Sequence, residues 1–363
     1  MVLPGDGRVR GFDGVRAIAV LLVIQGHLGY TSNRYAPFEN INDGVAIFFV
    51  MSGFLITGLL LREEREGGIA LGRFYARRML RLYPALLLFL GGLAIAEATG
   101  IAVAKPITYL LAATYVINYS PRSETTQETG HLWSLAVEEQ FYLTWPFILR
   151  FLRRYALAIG VVVWLFSVWF RMFRIEPGRS PVFRYLIPAV SPILLGSVAA
   201  LVLIPRLKSV AVARVWASPE VLLASVLLYT ARAWAVVPLV SDTTSLYVLY
   251  ELQRVGACLA LVWICCNQRS GVVRLLETKL IAYIGRISYG VYLWQGIFVR
   301  NGPEAPQSWV HRFPANLCLS IAVAALCFEL VEKRLLRLKD RLRPPTSTRS
   351  VRESTVMHVV DGD

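Results

Sequence analysis

Charge is in short supply in this chain: Asp, Glu, Lys and Arg together make up 17% of its 363 residues. A soluble domain carries nearer a quarter, so a water-exposed surface of ordinary size cannot be assembled from this chain. Cysteine is also scarce, and Cys258, Cys265, Cys266, Cys318 and Cys327 all lie inside apolar runs. They read as small buried hydrophobes and exclude a disulfide framework. Adjacent Cys265 and Cys266 have no His or Cys nearby to complete a metal site, and no metal is expected. Lysine is rare beside arginine, and there is no internal repeat. The first apolar run ends in Gly26-His27 with no small-residue cleavage site, so it reads as a retained span. These shortages exclude a disordered chain, a secreted disulfide scaffold and a nucleic-acid-binding domain.

What is present is apolar mass together with positive charge. Hydrophobic residues make up 56% of the chain, the mean hydropathy is +0.53 and the formal net charge is +14. That pairing fits a multi-span membrane protein with basic cytosolic loops. Runs long enough to cross a bilayer, roughly 20 residues each, lie near 14–30, 44–61, 84–103, 131–149, 155–170, 185–204, 219–237, 247–266, 280–299 and 314–332. The stretch 107–118 is short, is fringed by Pro106, Asn118 and Pro121, and reads as interfacial or re-entrant.

Charge sets the orientation. With ten spans and an inside N-terminus, the cytosolic segments hold 25 of the 38 Lys+Arg, and the outer segments hold nine. Counting 107–118 as a span would move Arg150, Arg153 and Arg154 outside, against the positive-inside rule. Arg171, Arg174, Arg179 and Arg184 fit this scheme least well. The expected fold class is all-α: a polytopic membrane helix bundle of about ten transmembrane helices, N- and C-termini cytosolic, multi-pass in the cell (inner) membrane. A single membrane domain covers 1–343, and the polar tail 344–363 reads as disordered.

Ionisable residues inside spans are costly and therefore mark candidate sites. Glu251 and Arg254, three apart, can neutralise one another, and Glu97 and Glu332 lie near enough to span ends to snorkel. Arg16 and His27 are harder to explain away. Eleven residues make three helical turns plus about 20°, so both project from one face, roughly 16 Å apart along the axis. Between them Ala19, Val20, Val23 and Ile24 form a small apolar stripe suited to a narrow passage. Glu138, in His131–Tyr142, lies at a similar depth to His27 and is expected to orient it as a general base. Glu138 and Glu139 are adjacent, so they are expected to face different ways. Arg77, Arg78 and Arg81 crowd one helical surface where a cytosolic loop meets a span, which suits phosphate groups, an anionic-lipid anchor or both. Asp43 is placed as an N-cap of the second span, and Ser52-Gly53 permits close helix approach.

Taken in order, these segments resemble the membrane acyltransferase family called acyltransferase-3. The resemblance runs from Arg10 to about Lys333 and is carried by six segments. They are Gly11-Phe12-Asp13-Gly14-Val15-Arg16-Ala17, the Arg16-to-His27 spacing, Phe48–Leu55, the arginine-rich Phe74–Pro84 stretch, Trp133–Phe141 and Ile287-Ser288-Tyr289-Gly290. Val15 replaces a more usual leucine and Gln295 a frequent histidine, so no role passes to position 295.

The resemblance implies acyl-CoA, most often acetyl-CoA, as donor and a hydroxyl of a carbohydrate, glycolipid or similar acceptor, with membrane lipids around the bundle. It implies catalytic roles for Arg16 and His27, to which Glu138 is added. Arg77, Arg78, Arg81, Ser52 and Tyr83 are set with the donor, and Trp133 and Asp43 with the acceptor. The chain is expected to be a membrane-only member, without the hydrolase-like domain that some members append. In the expected mechanism the acyl-pantetheine arm follows the Arg16–His27 face and His27 deprotonates the acceptor hydroxyl. An acyl-histidine or acyl-serine intermediate is the alternative chemistry. A transporter of a lipid-linked sugar or anion is the alternative function.

Overall fold

A computed structural model describes residues 8–29, 43–121, 124–173, 187–234, 243–300 and 308–340. The described residues form helices and turns, with no strand among them. In chain order the helices are α1 (Phe12–Gly29), α2 (Gly44–Arg65), α3 (Leu71–Ala98), α4 (Pro106–Ala113), α5 (Gln127–Gly130), α6 (Trp133–Phe151) and α7 (Ala156–Phe173). They continue with α8 (Ile187–Arg206), α9 (Val210–Trp216), α10 (Pro219–Trp234), α11 (Thr243–Cys266), α12 (Gly271–Leu276) and α13 (Lys279–Phe298). The last, α14 (Ala315–Cys327), passes through a π-helical turn at Phe328–Glu332 into α15 (Lys333–Asp340).

Six helices among the described residues are long and apolar enough to cross a membrane, or seven if the α9–α10 pair, bent by 44°, is one span. Helices α1, α6 and α13 occupy three further runs expected from the sequence. Large apolar side chains stand exposed on the outside of the bundle, among them Val162, Leu165 and Phe166 on α7 and Leu326 and Leu330 beyond it. Water would penalise such a surface, whereas lipid would not. Around 107–118 there are only the eight residues of α4 and a short 3-10 turn at Ile117–Tyr119, far too little for a span.

Helix α3 begins thirteen residues before the expected 84. Pro84 sits inside it, and the arginine-rich stretch forms its first turns because those arginines find partners within the bundle. Helices α2 and α8 cross in near-backbone contact. A Cβ on Gly53 would lie 1.9 Å from the Ile193 carbonyl oxygen, and one on Gly196 would lie 2.0 Å from that of Val50. Each backbone therefore occupies the space that a side chain on the other would need, as the small residues at Ser52-Gly53 suggested. Asp43 caps α2 as expected, accepting from the Ala46 amide at 3.3 Å.

Cys258 and Cys265 are buried and Cys266 and Cys327 half-buried, but Cys318 is exposed on α14. The last departs from the expectation because a thiol is apolar enough to face lipid. Arg171 turns inward, its guanidinium 5.2 and 4.9 Å from the Tyr247 and Tyr250 ring centres. Arg174, Arg179, Arg184 and the tail 344–363 lie outside the described residues.

Candidate active site

Helix α1 is anchored at its N-terminal end by Asp13. That carboxylate accepts from Arg16 at 2.6 Å and from Arg8 at 3.1 Å. A Cβ on Gly285 would lie 1.7 Å from the Asp13 carbonyl oxygen, so α13 crosses α1 here in near-backbone contact. Near the other end of α1, His27 Nδ1 lies 3.2 Å from Gln295 Oε1 on α13. Two crossings of the same helix pair thus bracket the face that carries Arg16 and His27.

The stripe between them is packed. Val20, Val23 and Ile24 belong to one apolar core with Val291 and Leu293 of α13, and Ala19 packs with Ile47 of α2 and Ala257 of α11. The expected passage is therefore filled in this structure. The small side chains that suggested an opening instead let neighbouring helices close over it: a Cβ on Gly44 would lie 2.3 Å from the Ala19 carbonyl oxygen.

Glu138 does not partner His27. Its carboxylate accepts hydrogen bonds from Ser52 Oγ and from Tyr142 Oη, one helical turn on, and lies 3.6 Å from Arg78. Glu139 reaches the same guanidinium at 3.1 Å. Both carboxylates thus converge on one cation, contrary to the expectation that adjacent residues would diverge; an arginine fork is wide enough to serve both. Arg78 also lies over the Tyr142 ring, 3.3 Å from its centre. Ser52, expected near the donor, belongs to this network. Its signal in the sequence was the spacing Glu138-x-x-x-Tyr142, one face of one helix.

The arginine cluster divides. Arg77 pairs with Glu63 at the end of α2, and Arg78 is held as above. Arg81 instead lies near enough to Arg16, Arg78, Glu138 and Glu332 to interact with their charges. Glu332 was expected to snorkel but is buried, and its Oε1 lacks a hydrogen-bond partner. It closes the π-helical turn, which inserts an extra residue into the helix and carries this carboxylate inward. Tyr83 donates to the Ala113 carbonyl at 2.7 Å, tying α3 to α4.

Of the residues set with the acceptor, Trp133 packs edge-on against Phe49 with ring centres 6.3 Å apart. Asp43 caps α2 and lies 3.7 Å from Arg254, whose guanidinium also pairs with Glu251 as the sequence suggested. His131, just before α6, is buried against Gly296 and meets the Tyr292 ring at 5.3 Å. Tyr292 in turn contacts Ser134 at 2.5 Å. The residue that sequence reasoning passed over is Gln295. It sits four residues after Val291 on the face that meets α1, and helical periodicity was the signal that could have found it. Among the described residues, no three His, Cys, Asp or Glu side chains gather as metal ligands would.

Chemically, the arrangement offers a half-buried imidazole with a fixed polar partner and, on neighbouring helices, a network of arginines and carboxylates. The chain is 30% identical to the peptidoglycan O-acetyltransferase OatA of Listeria monocytogenes, over 89% of this chain and 55% of that protein. It is 29% identical to a Staphylococcus aureus protein provisionally named as an O-acetyltransferase, over 89% of the chain and 56% of the relative. A Bacillus subtilis protein, YrhL, provisionally named as a peptidoglycan O-acetyltransferase, is 28% identical over 90% and 54%. The chain thus spans about half the length of the curated relatives it matches. No solved structure matches it. The sequence profile of the acyltransferase domain that defines acyltransferase-3 matches residues 9–329, nearly the whole described bundle, and the chain belongs to that family.

Proposed function

We propose that this protein is a membrane O-acyltransferase that moves an acyl group, acetyl first among them, from cytosolic acyl-CoA to a hydroxyl of a carbohydrate acceptor. In this reading ten spans cross the cell membrane and both termini are cytosolic. The names of the Listeria monocytogenes and Bacillus subtilis relatives favour a cell-wall glycan as acceptor.

The observation that carries the proposal is the contact between His27 Nδ1 and Gln295 Oε1. An amide oxygen only accepts, so Nδ1 bears the proton and Nε2 keeps the lone pair. Nε2 then takes the proton from the acceptor hydroxyl as its oxygen attacks the thioester carbonyl. The new C–O bond forms, the C–S bond breaks, and the imidazolium returns the proton to the departing CoA sulfur. Arg16 and Arg81 hold positive charge at the donor's side of the site. Because Val20 and Val23 fill the path between Arg16 and His27, donor entry requires α1 and α13 to separate along that stripe.

The test is purified full-length protein with acetyl-CoA and a muramyl or N-acetylglucosamine oligosaccharide, read by release of free CoA thiol and by acceptor mass. Acceptor-dependent thiol release that disappears in His27→Ala supports the reading. Equal turnover in His27→Ala removes it.

A further inference from the structure

Of the three arginines that the sequence set with the donor, only Arg81 is without an ion pair among the described residues, too little for the phosphates of the donor's nucleotide end. Arg77 is paired with Glu63, and Arg78 with Glu138 and Glu139. Acyl-CoA carries its negative charge in an adenosine head bearing three phosphates, at the far end of a long linear arm from the thioester. A site for it needs cations that are not already neutralised, room for a base, and a position one arm's length from His27.

A place beside α13 meets these conditions. A cavity of about 520 Å³ opens beside the N-terminal end of α13, lined by Arg8, Lys279, Tyr283 and Arg286 among others. This is a normal size for a small-ligand site. Lys279, Tyr283 and Arg286 recur at intervals of four and three, so they form one stripe along the helix. Glu277, on the same wall, is already held by Arg8 at 3.1 Å and by the Gly11 amide at 2.7 Å. Neither Lys279 nor Arg286 has a carboxylate within ion-pair distance among the described residues. Neither cation is therefore held in a direct ion pair, although Glu329 lies near enough to Arg286 to act on its charge. Arg286 lies over the Tyr283 ring at 5.5 Å, the kind of aromatic and guanidinium surface on which a purine stacks.

The cavity also joins the candidate active site on both sides. Through Arg8 it reaches Asp13 and from there Arg16. Through Tyr283, which donates to Glu329 at 3.5 Å, it reaches the π-helical turn that brings Glu332 towards Arg81. Along α13, Gln295 stands nine residues beyond Arg286 and sixteen beyond Lys279, roughly 14 and 24 Å at 1.5 Å per residue. That interval suits the pantetheine arm.

We infer that this cavity binds the phosphorylated adenosine head of the acyl-CoA donor, with Lys279 and Arg286 on its phosphates and Tyr283 beside its base. The inference rests on the donor assignment above and adds a location for it. Lys279 and Arg286 are exposed, so their replacement leaves the packed bundle intact.

The experiment is equilibrium binding of coenzyme A to the full-length protein in nanodiscs of phosphatidylcholine alone, comparing wild type, Lys279→Ala/Arg286→Ala and His27→Ala. The double variant is expected to bind at least tenfold more weakly, with KM for acetyl-CoA raised similarly and kcat little changed. His27→Ala is expected to bind coenzyme A normally but not turn over. Dephospho-coenzyme A should bind wild type more weakly, and the double variant should blunt that difference. Wild-type affinity in the double variant overturns the cavity assignment while leaving the donor intact. Absence of coenzyme A binding to wild type removes the donor reading itself. If phosphatidylglycerol in the nanodisc binds at these two residues and coenzyme A does not, the cavity is a lipid-headgroup site and the inference fails.

Discussion

His27 and Gln295 meet across the α1–α13 contact, imidazole Nδ1 to amide oxygen, at 3.2 Å. Because the partner is an amide, it fixes a tautomer without titrating. Gln295→Leu should therefore lower kcat by roughly 10- to 100-fold, as losses of orienting partners do, with KM for donor nearly unchanged. Gln295→His should restore part of that loss. Steady-state kinetics on both variants, with circular dichroism to confirm folding, decides whether the amide orients His27 or only fills space.

The base must be the neutral imidazole, since the protonated ring has no lone pair to accept the acceptor's proton. Transfer should fall as pH drops through the ionisation of His27 and should follow one ascending limb. A pH profile of kcat/KM that lacks this limb, with a stable protein throughout, would assign the base elsewhere.

Arg78 sits between two carboxylates and over an aromatic ring. Glu138→Ala leaves its cation partly uncompensated, and breaking a buried pair this way costs about 3–5 kcal/mol. Thermal unfolding of the purified protein should show a marked fall in Tm. The lost activity should track the loss of folded protein and not a change in donor KM.

Arg77 and Glu63 form an ion pair of their own. Either single reversal, Arg77→Glu or Glu63→Arg, should lower stability, and the exchanged pair should recover most of it. Recovery of Tm in the double variant separates this arginine from Arg81, whose substitution by Ala should act on donor KM instead.

Gly53→Ala would push a methyl into the Ile193 carbonyl, and Gly196→Ala into that of Val50. Both are overpacking changes against backbone, which cannot rotate away. Each variant should yield little monodisperse protein on size-exclusion chromatography, while Gly72→Ala, whose Cβ meets nothing, should behave as wild type.

Helical character and the inward arginines and carboxylates were legible in the sequence because both follow from solvent physics. Apolar runs must bury their backbone polarity in helices, and charges within them must converge. The cap at Asp43, the Gly53 crossing and the Glu251–Arg254 pair followed from local spacing and are present. Partner choice was not legible. Glu138 and His27 share a depth, but depth alone does not bring two helix faces together. The rotation of α6 points Glu138 at Arg78, while α13 supplies Gln295. Glu332 was misplaced for a different reason: a π-helical turn changes the face a residue presents, and no short-range pattern announced it.

The closed stripe of Val20, Val23 and Ile24 has a consequence for permeability. A polar lining from Arg16 to His27 would join the two compartments by a file of water and leak protons whenever the enzyme idled. Packed hydrocarbon over those roughly 16 Å makes this face of the protein an insulator as it stands. Under the proposed mechanism, conduction of anything between the two faces is confined to the moment when a donor holds the helices apart.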